Sequence, residues 1–217
     1  MIRLEFHCHT IFSHDSLVSI EELYKTAREK HLDRVVVTDH NRIDGAVLAF
    51  EKAPGLFIIG EEVMTTEGEL LAVFVKEVIP EGLTPLETIH RLRAQGAFIS
   101  VPHPFDKARS GSWALEELKK IAPLVDAIEV FNSRCLNNEH NRLAANFAKE
   151  YSLLATVGSD AHSSYELGRS TLVLPDFKDA EELKKSLTNA TQDLQLTPYW
   201  VHFVSTWAKL KKKQIRA

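Results

Sequence analysis

Short runs of β-branched and aliphatic residues recur along the 217-residue chain, separated by stretches with helical spacing. This alternation restricts the fold more than any other feature. Leu4-Glu5-Phe6 predicts a first strand. Further strands are expected at Val35-Val36-Val37-Thr38, Leu56-Phe57-Ile58-Ile59, Leu70-Leu71-Ala72-Val73-Phe74-Val75 and Phe98-Ile99-Ser100-Val101. Ala127-Ile128-Glu129-Val130-Phe131, Leu154-Ala155-Thr156-Val157 and Thr171-Leu172-Val173-Leu174 complete the set. Runs that stay apolar throughout suit parallel strands covered on both faces. Ser19-Ile20-Glu21-Glu22 is a capping box that opens a helix. Thr84-Pro85-Leu86-Glu87 is another, with proline at the first helical position, and Gly96 closes that helix. Other helices are expected over 113–121, 139–151, 180–188 and from 197 to about 212. Repeated β-then-α units imply an α/β fold with a parallel sheet, open or closed. The closed form is a barrel whose active site lies at the C-terminal ends of its strands.

Composition narrows the class. Apolar residues make up 44% and charged residues 26%, as in soluble globular proteins. The net charge of −4 provides no global basic field, so long nucleic acid is not an expected partner. No apolar run approaches the roughly 18 residues that span a bilayer, and Met1-Ile2-Arg3-Leu4-Glu5-Phe6 lacks the apolar segment of a secretory leader. A cytoplasmic protein with no membrane partner is expected. Cys8 and Cys135 are the only cysteines, too few for a disulfide framework or a thiolate zinc site. No linker-like segment splits residues 1–217, which are read as a single domain. In its last helix Trp200, Phe203, Val204, Trp207 and Leu210 recur at helical spacing, and this stripe is expected to pack onto the barrel.

The strand ends carry the chemistry. They read His7-Cys8-His9-Thr10, Thr38-Asp39-His40-Asn41, Gly60-Glu61-Glu62, Pro102-His103-Pro104, Phe131-Asn132-Ser133-Arg134 and Gly158-Ser159-Asp160-Ala161-His162. Residues two apart on a strand face the same side, so His7 and His9 could chelate one cation, as could Asp160 with His162. Each motif alone has a structural reading, as a helix cap, a turn or a satisfied polar residue. Six together point to a metal cluster. Imidazoles mixed with carboxylates suit Zn²⁺, Mn²⁺ or Fe²⁺ rather than Ca²⁺.

In their order along the chain, these motifs resemble the PHP superfamily, named for polymerase and histidinol phosphatase. His7-Cys8-His9-Thr10 matches its H-x-H-T opening, Asp15 its next ligand, Thr38-Asp39-His40 its T-D-H motif and Gly60-Glu61-Glu62 its G-x-E motif. His103-Pro104 matches H-P, and Gly158 to His162 matches G-S-D-x-H, followed by Leu167-Gly168-Arg169. The match spans about residues 1–174; the helical segments from 179 to 217 lie beyond it. The resemblance implies a distorted (β/α)7 barrel of the PHP type holding two or three divalent ions. One ion would be held by His7, His9, Glu62 and Asp160, a second by Asp15, His40 and His162, and a third by Glu62 as a bridge and His103. Trinuclear relatives place one more His on the strand after G-x-E. Here that strand, Leu71 to Lys76, carries none, and Lys76 could stand in as a fixed positive charge.

The function so implied is a metal-dependent phosphoesterase that cleaves a small phosphate monoester with a metal-bound hydroxide. Arg109, Arg134 and Arg169 are candidate phosphate clamps, and Asn41 is a candidate to bind substrate or orient a water. Asp39, His40 and His103 are candidates for protonating the leaving group. His14, His31, His90, His140 and His202 fall outside the motifs and are read as bystanders. The alternatives are a nucleotide-directed activity of the same superfamily, such as a 3′,5′-bisphosphonucleotide phosphatase or 5′→3′ exonuclease, and a non-catalytic metal-stabilised scaffold. Metal-assisted attack on a carbonyl, as in deacetylases and amidohydrolases, is a weaker alternative. The expected partner is a small phosphorylated substrate, a nucleotide among them. Nothing in the sequence specifies an oligomeric state.

Overall fold

A computed structural model describes residues 1–216, and the side chains of residues 1–214. The chain runs β1 (Ile2–Cys8), α1 (Ile20–Glu29), β2 (Arg34–Val37), α2 (Asp44–Lys52), β3 (Phe57–Met64), β4 (Glu69–Val73), α3 (Pro85–Ala94), β5 (Phe98–Val101) and α4 (Leu115–Ile121). It continues through β6 (Ala127–Asn132), α5 (Asn138–Glu150), β7 (Leu154–Gly158), β8 (Ser170–Leu174), α6 (Ala180–Leu187), β9 (Thr191–Leu194) and α7 (Val201–Arg216). The capping boxes act as their sequences predict. Ser19 Oγ accepts from the Glu22 amide at 3.2 Å, and Thr84 Oγ1 accepts from the Glu87 amide at 3.3 Å.

The strands form one sheet in the order β7-β6-β5-β4-β3-β2-β1-β8-β9. It curls until the chain just past β7 meets the end of β1, where the His9 amide donates to Ala161 O at 2.9 Å and Cys8 bridges Ala161. The result is the distorted, nearly closed (β/α)7-type barrel. Its core includes Leu4, Phe6, Leu70, Phe98, Ile99 and Ile128, all essentially inaccessible to solvent. Each contributes roughly 1.5–3 kcal/mol by leaving water.

The sheet is not wholly parallel. β4 runs antiparallel to both β3 and β5. The reason is local: only residues 65–68 connect β3 to β4, and a parallel return needs a dozen or more. Thr65 Oγ1 ties this turn by donating to Gly68 O at 2.6 Å. Gly68 itself is required by space, since a Cβ there would stand 2.5 Å from the Trp113 ring.

Three expectations are corrected by the fold. α2 and β9 were not foreseen. α2 has no side-chain cap at Ile43, and β9 (Thr-Gln-Asp-Leu) is exposed, so neither carries a start signal or an apolar run. The aromatic stripe does not pack onto the barrel beyond Trp200, just before α7, whose ring centroid lies 4.8 Å from that of Tyr165. Trp200, Phe203, Trp207 and Leu210 are 47%, 76%, 55% and 58% exposed, while Val201, Ser205 and Ala208 face inward. Close approach to the barrel mouth selects the small residues of this helix.

Candidate metal centre and its two walls

The mouth of the barrel collects one cluster of ionisable groups. Glu5, His7 and His9 alternate along β1 and point inward. The β2 end delivers His40, β3 delivers Glu62, the chain after β5 delivers His103, and the chain after β7 delivers Asp160 and His162. The loop after β1 brings in Asp15. All eight residues expected to bind metal therefore converge. Asn41, His103 and Asp160 hold left-handed backbone with φ of 53°, 27° and 52°, strain of a kind that gathers at functional sites.

The geometry fits a divalent cation. Nε2 of His7 and Nε2 of His9 lie 3.1 Å apart. From Glu62 Oε2 they stand at 3.5 and 3.4 Å, and from Asp160 Oδ1 at 3.6 and 3.2 Å. A tetrahedral ion with bonds of about 2.1 Å separates its ligands by about 3.4 Å. Glu62 Oε2 and Asp160 Oδ1 are buried with no hydrogen-bond partner, as is Asp15 Oδ1. Buried carboxylate oxygens without donors are costly unless a cation neutralises them. Asp15 Oδ2 lies 3.2 Å from His162 Nε2 and 3.6 Å from His40 Nε2, which forms the second set.

The far sides of the imidazoles are fixed. His7 Nδ1 is 3.1 Å from Glu129 Oε1, His9 Nδ1 is 3.1 Å from Ser13 Oγ, and His162 Nδ1 is 2.8 Å from Asp160 O. Acceptors there keep the proton on Nδ1 and aim the Nε2 lone pair inward, the usual arrangement behind metal-binding histidines. Asp39 belongs to this support. Its carboxylate accepts from the Thr10 amide (2.7 Å), Thr10 Oγ1 (2.6 Å) and Ser13 Oγ (2.6 Å), and Ser13 in turn orients His9. Three donors occupy Asp39, so it is a positioning residue and not the expected leaving-group acid.

Electrostatics point the same way. Burial opposes protonation of His7, but Glu62, Asp160 and Glu129 outweigh it and hold the ring well above the ordinary histidine range. His40 is raised against burial by Glu62 and Asp15. Burial, with the charges of His162 and His40, pushes His9 far down. Burial works against the Glu62 and Asp160 carboxylates, yet His7 and His40 for the first, and Arg109 and His7 for the second, keep both well below the usual range. A site that draws positive charge so strongly suits cations.

A cavity of about 510 Å³ opens over the cluster. Its other wall is cationic. Arg109 contacts Asp160 and sits 3.1 Å from Asp106 Oδ2. Arg134 is 5% exposed, donates from Nη2 to Ser205 Oγ at 2.8 Å, pairs through Nε with the buried Glu166 Oε1 at 3.5 Å, and leaves Nη1 without a hydrogen bond. α7 adds His202, Ser205 and Lys209, whose Nζ is 3.5 Å from Asp15 Oδ2. Asn41 lines the rim, donating to Glu81 at 2.8 Å and accepting from the Met64 amide at 2.7 Å. Two expected substrate contacts are corrected. Arg169 lies over the Tyr165 ring and donates to Leu196 O, outside the cavity lining. Lys76 follows β4 at the end of that strand remote from the mouth, because β4 runs antiparallel.

Sequence reasoning missed Glu69, Glu129 and the inward residues of α7. Glu129 carried a signal, a carboxylate inside an apolar run. His202, Ser205 and Lys209 also did, lying three and four residues apart on the helix face opposite the aromatic stripe.

Comparison with known proteins gives a consistent picture. The PHP-associated family model PHP_C matches residues 138–191. An uncharacterized protein of Methanocaldococcus jannaschii is 36% identical over 173 residues, covering 78% of this chain and 69% of its own. Among solved structures, a two-domain protein of Bacteroides vulgatus containing a predicted PHP-like metal-dependent phosphoesterase superposes with a TM-score of 0.73 at 20% identity. That match covers 89% of this chain, which spans 65% of the two-domain protein. The lesion-specific endonuclease EndoQ of Pyrococcus furiosus superposes with a TM-score of 0.61 at 17% identity, covering 87% of this chain and 56% of its own. At these identities the structural likenesses speak to fold.

Proposed function

This chain belongs to the PHP superfamily, and from that premise we propose that it is a metal-dependent phosphoesterase acting on a small phosphate monoester. One observation carries the reading: a cavity lined on one side by Asp15, His40 and His162, the outer members of a cluster whose His7, His9, Glu62, His103 and Asp160 lie buried beneath, and on the other side by Arg109, Arg134 and Lys209. A phosphoryl group is the ligand that answers both walls. His7, His9, Glu62 and Asp160 would hold one divalent ion, and Asp15, His40 and His162 another, with Zn²⁺, Mn²⁺ or Fe²⁺ suited to that donor set. Bound there, such ions lower the pKa of water towards neutrality and neutralise phosphoryl charge.

The chain's own residues do the rest. Arg134, whose Nε pairs with the buried Glu166 carboxylate at 3.5 Å, brings its guanidinium to the cavity wall, where Nη1, which makes no hydrogen bond, can meet a phosphoryl oxygen. Arg109 and Lys209 add positive charge on the same side, where charge accumulates during phosphoryl transfer. Glu129 and the Asp39–Ser13 pair hold His7 and His9 in one tautomer, so the site is organised before substrate arrives. The half-buried His202 is pushed below the ordinary range by burial and by Arg134 and Arg109, which marks that wall as electropositive.

The test is a substrate panel with Mn²⁺ or Zn²⁺ added: an aryl phosphate, a nucleoside monophosphate, a 3′,5′-bisphosphonucleotide and a labelled oligonucleotide. Chelator-sensitive phosphate release from the small esters supports the reading. Cleavage of the oligonucleotide alone would move it to a nuclease, and no turnover of any ester by metal-loaded protein would leave a scaffold.

A further inference from the structure

The reversal of β4 brings Glu69, its first residue, to the mouth of the barrel. The family resemblance leads one to expect a histidine on this strand, and residues 69–76 contain none. Glu69 is 6% exposed and lines the cavity. Its main chain is pinned: the amide donates to Gly111 O at 3.0 Å, and its carbonyl accepts from Trp113 Nε1 at 2.9 Å. Among the described residues its carboxylate accepts no hydrogen bond. It faces two imidazoles, with Oε1 3.6 Å from His40 Nδ1 and Oε2 3.8 Å from His103 Nε2. Glu62 faces the same pair, with Oε1 3.0 Å from His103 Nε2 and Oε2 3.0 Å from His40 Nδ1. Two buried carboxylates that straddle one pair of histidines repel each other unless a cation lies between them. Gly111 leaves the space this needs, since a Cβ there would fall 1.8 Å from Glu69 Oε2.

We propose that Glu69 is a metal ligand that completes a third cation position with Glu62 and His103, in place of the missing histidine. Nε2 of His103 is 3.0 Å from Glu62 Oε1 and 3.8 Å from Glu69 Oε2. One ion with bonds of about 2.1 Å spaces its ligands between about 3.0 Å for neighbours and about 4.2 Å for opposites. His7, Glu62 and His103 already bring ligand atoms within 4.8 Å of one another, which places the new position directly beside the first. Two carboxylates and one imidazole make a harder donor set than the two carboxylates and two imidazoles of the first position. The third position therefore favours Mn²⁺ or Fe²⁺ over Zn²⁺ relative to its neighbour.

The inference rests on the reading of this site as a cation cluster, and the experiment separates the two. Chelator-stripped wild type, Glu69→Gln and Glu69→His are reloaded with Mn²⁺ or with Zn²⁺, and bound ions are counted by elemental analysis and titration calorimetry. Wild type is expected to hold about three ions per chain and Glu69→Gln about two, with the tighter two unchanged. Glu69→His is expected to restore the third and to shift its preference from Mn²⁺ towards Zn²⁺ by about tenfold or more. Circular dichroism of the stripped proteins confirms that the near-isosteric Gln variant is folded. Equal stoichiometry in wild type and Glu69→Gln, or a metal preference unmoved in Glu69→His, overturns the assignment of Glu69 while leaving the two-ion site intact. A wild type that binds no ion overturns the assignment and the cation cluster together.

Discussion

The two walls of the cavity are built in opposite ways. The acidic and imidazole side grows from strand ends: His7, His9, Glu62 and Asp160, each no more than 1% exposed, lie beneath the cavity, and Asp15, His40 and His162 line it. Its residues are braced by sheet hydrogen bonds and by Glu129, Ser13 and Asp39 behind them. The cationic wall leans on α7, a helix outside the motif order, whose Lys209 side chain is 47% exposed. That helix is held by Val201 and Ala208, by Ser205 on Arg134, and by Lys212 on the Ile11 and Ser13 carbonyls. Groups that must hold a fixed geometry sit on the rigid sheet. Lys209, which need only supply charge to a ligand, sits on a helix that water still reaches, while Arg109 and Arg134 sit in the loops after β5 and β6.

The sharpest test of this contrast removes a residue from the rigid wall. His9→Ala or Asp160→Ala is expected to lower kcat/KM on the responsive ester by at least about 10³-fold, some 4 kcal/mol of transition-state stabilisation. Activity within about tenfold of wild type would break the comparison at its stronger side.

The residue beside Glu62 on β3 should behave otherwise. Glu61 points away from Glu62 and is buried, with Oε2 accepting from the Ile79 amide at 3.1 Å and Oε1 unpartnered. Burial raises its carboxyl to about 7 from 4.5. Between these values the folded chain binds the proton more tightly than the unfolded chain. The stabilising contribution is present in full below about pH 4.5 and is lost as pH rises through about 7. Glu61→Gln escapes that loss. Above pH 7 it is expected to exceed wild type by roughly 1–3 kcal/mol in urea unfolding, and the two should converge below pH 5. A constant offset across pH would show that Glu61 is not the titrating group.

The α7 wall predicts smaller effects. Lys209→Ala is expected to raise KM about three- to tenfold with kcat nearly unchanged, and to weaken the salt dependence of binding. A fall in kcat of the same size would place Lys209 with the rigid wall. Trp207→Ser, on the outward face of the same helix, should change stability by no more than about 0.5 kcal/mol and leave both kinetic constants alone. A larger loss of stability would mean that the aromatic stripe is packed after all.

The gathering of these histidines and carboxylates was readable because strand periodicity and strand ends are local properties. His7 and His9 share a face by spacing alone, and Thr38-Asp39-His40 and Gly158 to His162 end recognisable apolar runs. Helices with capping boxes were readable for the same reason. α2 and β9 carry no such signals. The roles of Asp39, Lys76, Arg169 and His202 depended on neighbours far along the chain and changed once those neighbours were in place.

The amino-acid order by itself determined an α/β barrel with a histidine and carboxylate centre at its strand ends, because periodicity, caps and apolar runs act over a few residues. Only the tertiary structure decided which way β4 runs and which face of α7 turns inward. The turn at 65–68 is too short for a parallel return, so Glu69 and not Lys76 reaches the mouth. The helix approaches the barrel through Val201, Ser205 and Ala208 because small side chains allow close contact, and this leaves Phe203, Trp207 and Leu210 facing solvent. The first outcome follows from the short β3–β4 connection, whose length only the strand ends of the folded chain fix, and the second from space shared between distant segments, which no window along the sequence contains.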